Sequence, residues 1–180
     1  MNLQELHNAK EQALGNFRQC KATLASLGEE ANELRTYIQT LRSNVEKDPE
    51  LLYRLQAAVM RLEQCHNQIR QIEEECERLK PILHGLMEDA QRCIAEAGQK
   101  ISALKKSISV MEAAAGNMFG ANATSQVPML NAQKEKYVFI ESEAQNIFEE
   151  IQQELDGEGN PQEPQKTLKY VNKGRNNHGK

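Results

Sequence analysis

Apolar and small residues recur from the start of the chain in alternating steps of three and four: Leu3, Leu6, Ala13, Phe17, Cys20, Leu24, Leu27, Ala31, Leu34, Ile38, Leu41 and Val45. With Leu3 at heptad position a, Leu6, Ala13, Cys20, Leu27, Leu34 and Leu41 fall at d, and Lys10 is the polar intruder in the seam. Heptads without a slip predict one long coiled-coil helix. It is expected to end near Glu46, because Asp48-Pro49-Glu50 offers the next helix an N-cap, a proline at its first position and an acid in its first turn.

A second seam follows through Leu52, Leu55, Val59, Leu62, His66, Ile69, Glu73, Cys76, Lys80 and Leu83, and keeps its phase through Ile94, Ile101 and Ile108 to Met118. Its polar members His66, Glu73 and Lys80 share one column, whereas Ile72, Leu79 and Leu86 occupy the adjacent one, so the apolar stripe leans sideways there. Pro81 interrupts the same stretch. A proline inside a helix removes one hydrogen bond and clashes with the preceding turn, so it kinks the helix or ends it. The heptad phase kept across Pro81 favours the kink.

Folded back on each other, the two seams pair Leu41 with Leu55, Leu34 with Leu62, Leu27 with Ile69, Cys20 with Cys76, Ala13 with Leu83 and Leu6 with Ala90. Every layer is apolar. In the neighbouring layers His66, Glu73 and Lys80 meet Ala31, Leu24 and Phe17, where long side chains can reach outward to water. The first helix runs out opposite residue 94. A loop of small and polar residues (Gly116, Asn117, Gly120, Ala121, Asn122, Ala123) then precedes a helical pattern resuming near Pro128 with Leu130, Tyr137, Ile140, Ala144, Ile147, Ile151 and Leu155. Folding back would set Ile140 near Leu104 and Ile147 near Ala97. The predicted fold is therefore all-α: a long antiparallel coiled-coil hairpin with a kinked second arm and an additional C-terminal helix packing back. Residues 1–155 form the helical domain, and residues 156–180, rich in Gly, Pro, Asn, Gln and Lys, are expected to be a disordered basic tail.

Composition narrows the function more than it names it. No apolar run approaches the ~18 residues of a membrane span, and the N-terminus lacks the basic, apolar and small-residue order of a secretory signal, so a cytoplasmic location is expected. The formal charge of −4 conceals an asymmetry, because Lys166, Lys169, Lys173, Arg175 and Lys180 lie in a C-terminal stretch without acids. With the lone aromatic Tyr170 they are the candidate tail contacts to nucleic acid or an acidic partner, against the plainer reading of a solubilising tail. Cys20, Cys65, Cys76 and Cys93 show no Cys-x-x-Cys spacing, and reduced core thiols are expected. Cys65 and Cys76 stand ~16 Å apart along a helix, too far to share an ion. No phosphate-binding loop, metal-binding pair or nucleophile arrangement is legible. The expectation is no enzyme, no cofactor and no metal.

A helical hairpin followed by a tyrosine and, four residues on, an acid resembles the small helical-hairpin proteins exported by type VII secretion, and Tyr137 with Glu141 carries that resemblance here. The resemblance implies export by, or association with, such a system. That family turns on Trp-x-Gly, whereas this chain has no Trp and turns at Asp48-Pro49. The shape is also similar to the coiled-coil stalks of secretion and rotary ATPases. The reading favoured by the residues themselves is an assembly adaptor or scaffold that binds another helical protein or itself as an oligomer. Its hairpin seam would be Leu6, Cys20, Leu27, Leu34, Leu41, Leu55, Leu62, Ile69, Cys76 and Leu83, and its partner surface Ile72, Leu79, Leu86, Val138, Phe139 and Phe148.

Overall fold

The computed structural model describes the backbone of residues 2–45, 48, 50–115 and 120–157, and the side chains of these apart from 115 and 120–125. Three helices follow in order: α1 Leu3–Val45, α2 Leu51–Ala115 and α3 Gly120–Asp156. At 1.5 Å per residue the 65 residues of α2 span about 98 Å, so α2 is the spine on which the two shorter helices lie. Pro49, Gly116, Asn117, Met118 and residues 158–180 of the expected tail lie outside the described residues, while Asp156, placed in that tail, is the last residue of α3.

Each helix start has a local cause. Asn2 Oδ1 accepts the Glu5 backbone N–H at 2.8 Å and Glu5 Oε2 accepts that of Asn2 at 2.9 Å, a reciprocal capping box that satisfies two otherwise orphaned donors of α1. Asp48 caps α2 as expected, its Oδ1 accepting from the Glu50 backbone N–H at 3.0 Å. One expectation about these boundaries needs correction. The third helix starts at Gly120, not near Pro128, which lies inside it. Small residues such as Ala121 and Ala123 are good helix formers as well as loop formers, and extending an existing helix costs far less than nucleating one. α2 runs through Pro81 without reversing.

Register follows from the polar contacts flanking the α1–α2 seam. Arg61 Nε donates to Glu30 Oε1 at 2.7 Å, and Arg35 meets His66 Nε2 at 3.0 Å. These diagonals lean in opposite directions along the axis, so their mean is the layer in which Leu34 faces Leu62. α1 and α2 are antiparallel. α3 joins the start of α1 through Lys10 with Glu150, at 2.6 Å, and Arg18 and Lys21 with Glu154, at 2.9 and 3.1 Å. As numbers rise together in those pairs, α3 runs parallel to α1.

Three segments of unequal thickness result. In the middle all three helices meet, and Leu6, Leu14, Phe17, Leu83, Leu86, Ala90, Ile147 and Ile151 are buried together. Toward the α1–α2 turn only two helices remain, around Ile38, Leu41 and Ala58. At the other end α2 and α3 continue alone, burying Ala97, Ile101, Ile108 and Ala144. Gly98 lies there, its missing Cβ 3.4 Å from Glu141 Oε1.

Glycine inside a helix is unfavourable by roughly 0.5–1 kcal/mol against alanine because more backbone entropy is lost. A Cβ at Gly85 would meet nothing within 4 Å. Gly85→Ala is therefore expected to stabilise the protein by about that amount, read as a rise in the denaturation midpoint.

Candidate interaction surfaces

The burial pattern of α2 changes sides along its length. From residue 58 to 86 the inward columns are Ala58, Cys65, Ile72, Leu79 and Leu86 together with the seam through Cys76 and Leu83, while His66 and Glu73 point to solvent. Farther on, Ile101 and Ile108, in the same column as His66 and Glu73, are buried. Seven residues fall short of two helical turns by about 20°, so five heptads turn a column by about 100°, the angle between neighbouring residues. One column thus replaces the next, and the buried face passes from α1 to α3.

This rotation corrects part of the expected partner surface. Leu79 and Leu86 are each 6% exposed within the three-helix core, and Ile72 packs against that core half-buried. They cover α1 and are not available to a partner. Val138 and Phe139 remain 46% and 60% exposed, while Phe148 is half-buried against the core. Phe139 lines an open groove of about 490 Å³ with Leu3, His7, Lys136, Ile140 and Ile147, formed where α1 begins alongside α3. Tyr137 and Glu141 lie half-buried on α3.

The expected seam residues differ by segment. Leu6 and Leu83 are fully buried and Cys76 nearly so, with Cys20 packed against their cluster. Leu41 is buried too. Leu27, Leu34, Leu55, Leu62 and Ile69 are only half-buried, because no third helix lies over them. Lys10 and Leu14 were the residues whose depth the heptads concealed. Leu14 falls at position e, outside a two-helix seam, and is buried by α3; Lys10, 3% exposed, hides its stem there and pairs with Glu11 and Glu150, each at 2.6 Å. The tail contacts Lys166, Lys169, Tyr170, Lys173 and Arg175 lie outside the described residues.

Reactive chemistry has little footing on these surfaces. None of the four cysteines forms a disulfide. Burial pushes the Cys65 thiol above its ordinary value, and its hydrogen bond to Glu30 adds to this, so the nucleophilic thiolate is suppressed. Glu30 is in turn held below the usual carboxylate range by the Arg61 hydrogen bond. In the native state Cys20 and Cys93, both half-buried, are expected to alkylate before Cys65, which should react only on unfolding. Mass spectrometry of a timed labelling series reads this directly. Among the described residues, no group of three or more His, Cys, Asp or Glu is placed to hold a metal ion.

No helix among the described residues is long and apolar enough to cross a membrane. No protein-family model matches the chain, and neither a curated protein nor a solved structure does.

Proposed function

We propose that this chain is a non-enzymatic assembly adaptor or scaffold, which binds another helical protein or a second copy of itself through faces of its two-helix segments. One observation carries the reading. A single continuous seam is fully buried at Leu6 and Leu83, where three helices meet, and half-open at Leu27, Leu34, Leu62 and Ile69, where only two do. Apolar surface left open at regular helical spacing gains from cover by another helix. Tyr53 and Met60, 79% and 63% exposed and seven residues apart, extend the apolar surface onto the outer side of the same segment.

The test is cross-linking with mass spectrometry, on the purified chain and on extract of the cells that make it. A stoichiometric complex is expected, with itself or with one partner, and with cross-links concentrated between residues 21 and 76. A chain that is monomeric when pure and stoichiometric with nothing in extract overturns the reading.

A further inference from the structure

One layer of the α1–α2 seam sets two cysteines across from each other. The polar contacts flanking the seam place Leu34 opposite Leu62. Two heptads back along α1 stands Cys20, and two heptads on along α2 stands Cys76. One heptad further, Ala13 and Leu83 are buried in the same cluster as Cys76, with Cys20 packed against it, and Ala13 and Asn16 line one cleft with Leu79 and Ile82. The register therefore holds through the cysteine layer. Helices packed roughly 8–10 Å apart, with Cα atoms about 2.3 Å from each axis, bring facing Cα atoms to about 4–6 Å, which overlaps the range of about 4.4–6.8 Å that a disulfide spans. No other pair qualifies. In the same register Cys65 lies level with Ala31 and Cys93 with Leu3, about 16 and 25 Å along the seam from the layer of Cys20 and Cys76.

Exposure gives the two thiols different parts. Cys20 is half-buried and open to a small reagent, whereas Cys76 is 5% exposed and is met across the seam. We infer that Cys20 and Cys76 form a thiol–disulfide exchange site whose co-reactant is a small soluble disulfide of the glutathione class. Cys20 Sγ gives up its proton and attacks one sulfur of that disulfide. A mixed disulfide forms on Cys20, and the other half of the oxidant leaves and takes up a proton as a thiol. Cys76 Sγ then gives up its own proton and attacks Cys20 Sγ, which closes the intrachain bond and expels the second half as a thiol. Two protein thiols are oxidised and one disulfide is reduced to two thiols, so an excess of small thiol drives the exchange back. The site lies where α3 stops. Glu154 holds Lys21, next to Cys20, and Leu155 packs against the same cluster, while toward the α1–α2 turn the seam is half-open at Leu27 and Ile69. Closing the bond staples α1 to α2 at the last layer that α3 reaches. The exchange needs no partner protein and stands whether or not the adaptor reading does.

The test exposes the full chain to excess oxidised glutathione, blocks the remaining thiols with an alkylating reagent and maps the products by mass spectrometry without reduction, with helicity followed by circular dichroism. The expected product is a Cys20–Cys76 linked peptide, two hydrogens lighter than the separate peptides, on a chain that runs as a single chain on a non-reducing gel. Cys93, with Leu3 across from it, should stop at the mixed disulfide. The thermal midpoint should rise by about 5–10 °C and fall back with dithiothreitol. Cys76→Ser should leave glutathione on Cys20 and abolish the rise. Cys20→Ser, at the half-buried position, should leave Cys76 a thiol and abolish the rise as well. Each of five results overturns the inference: a native Cys20 that stays a thiol, one that keeps its glutathione as Cys93 does, a link to another cysteine, a link between two chains, or a link that does not raise the midpoint.

Discussion

Phe17→Ala is expected to cost about 3–5 kcal/mol, close to half of what a typical domain has to spare. The Phe17 ring is fully buried where α1, α2 and α3 converge, so its removal leaves a cavity walled by three helices that cannot all collapse into it. Leu34→Ala makes the useful contrast. Its side chain is half-buried between two helices with water on the open flank, and a loss nearer 1–2 kcal/mol is expected from the smaller area returned to solvent. Chemical denaturation followed by circular dichroism measures both. Equal costs would mean that the open segment is as tightly packed as the middle, with no apolar face left for a partner. Amide exchange should agree, with the slowest protons on residues 6–17 and 76–90 and faster ones toward the α1–α2 turn.

Most of the fold was legible because the heptad carries it. The spacing from Leu3 to Leu41 gave one helix, Asp48 gave its end and the start of the next, and the all-apolar pairing from Leu41/Leu55 to Leu6/Ala90 gave the antiparallel register. What the heptad could not give was depth. A seven-residue label assigns a residue to a column but not to the direction that column faces thirty residues later, so Leu79 and Leu86 read as an outer flank although they are core. Nor does a two-helix seam say where a third helix crosses it, which is why Leu14 passed unremarked and Lys10 was only an intruder. The capping box at Asn2 and Glu5 was a readable signal, a small polar residue followed three later by an acid. The start of α3 was not readable, because Gly120 to Ala123 suit a loop and an extending helix alike.

Reversing the charge of Glu150 and Glu154 together is expected to free the end of α3 from α1. Lys10 is nearly inaccessible to solvent and would keep only Glu11, while Arg18 and Lys21 would face new lysines. Glu150 is half exposed and Lys10 keeps Glu11, so the pairs are screened by solvent and E150K/E154K is expected to cost about 1–2 kcal/mol in all. The rescue distinguishes this cause from a general surface effect. Lys10→Met fills the same slot with an unbranched apolar chain, so alone it should be neutral or stabilising, and in the E150K/E154K background it should recover much of the loss. The pH profile supplies the sign. Burial pulls the Lys10 ammonium down, but its hydrogen bonds to Glu11 and Glu150 outweigh this and leave its pKa raised, so its contribution is complete below about pH 10 and is lost as pH climbs through the folded value. Glu154 has burial pushing it up and Arg18 and Lys21 holding it lower overall, so its contribution is complete above about pH 4 and is lost as pH falls through its folded value. The Lys10→Met chain should therefore lose the alkaline limb of the stability curve and keep the part of the acid limb that Glu154 supplies. An alkaline limb undiminished in that variant would place the titrating group elsewhere and remove Lys10 from the contact that fixes α3 on α1.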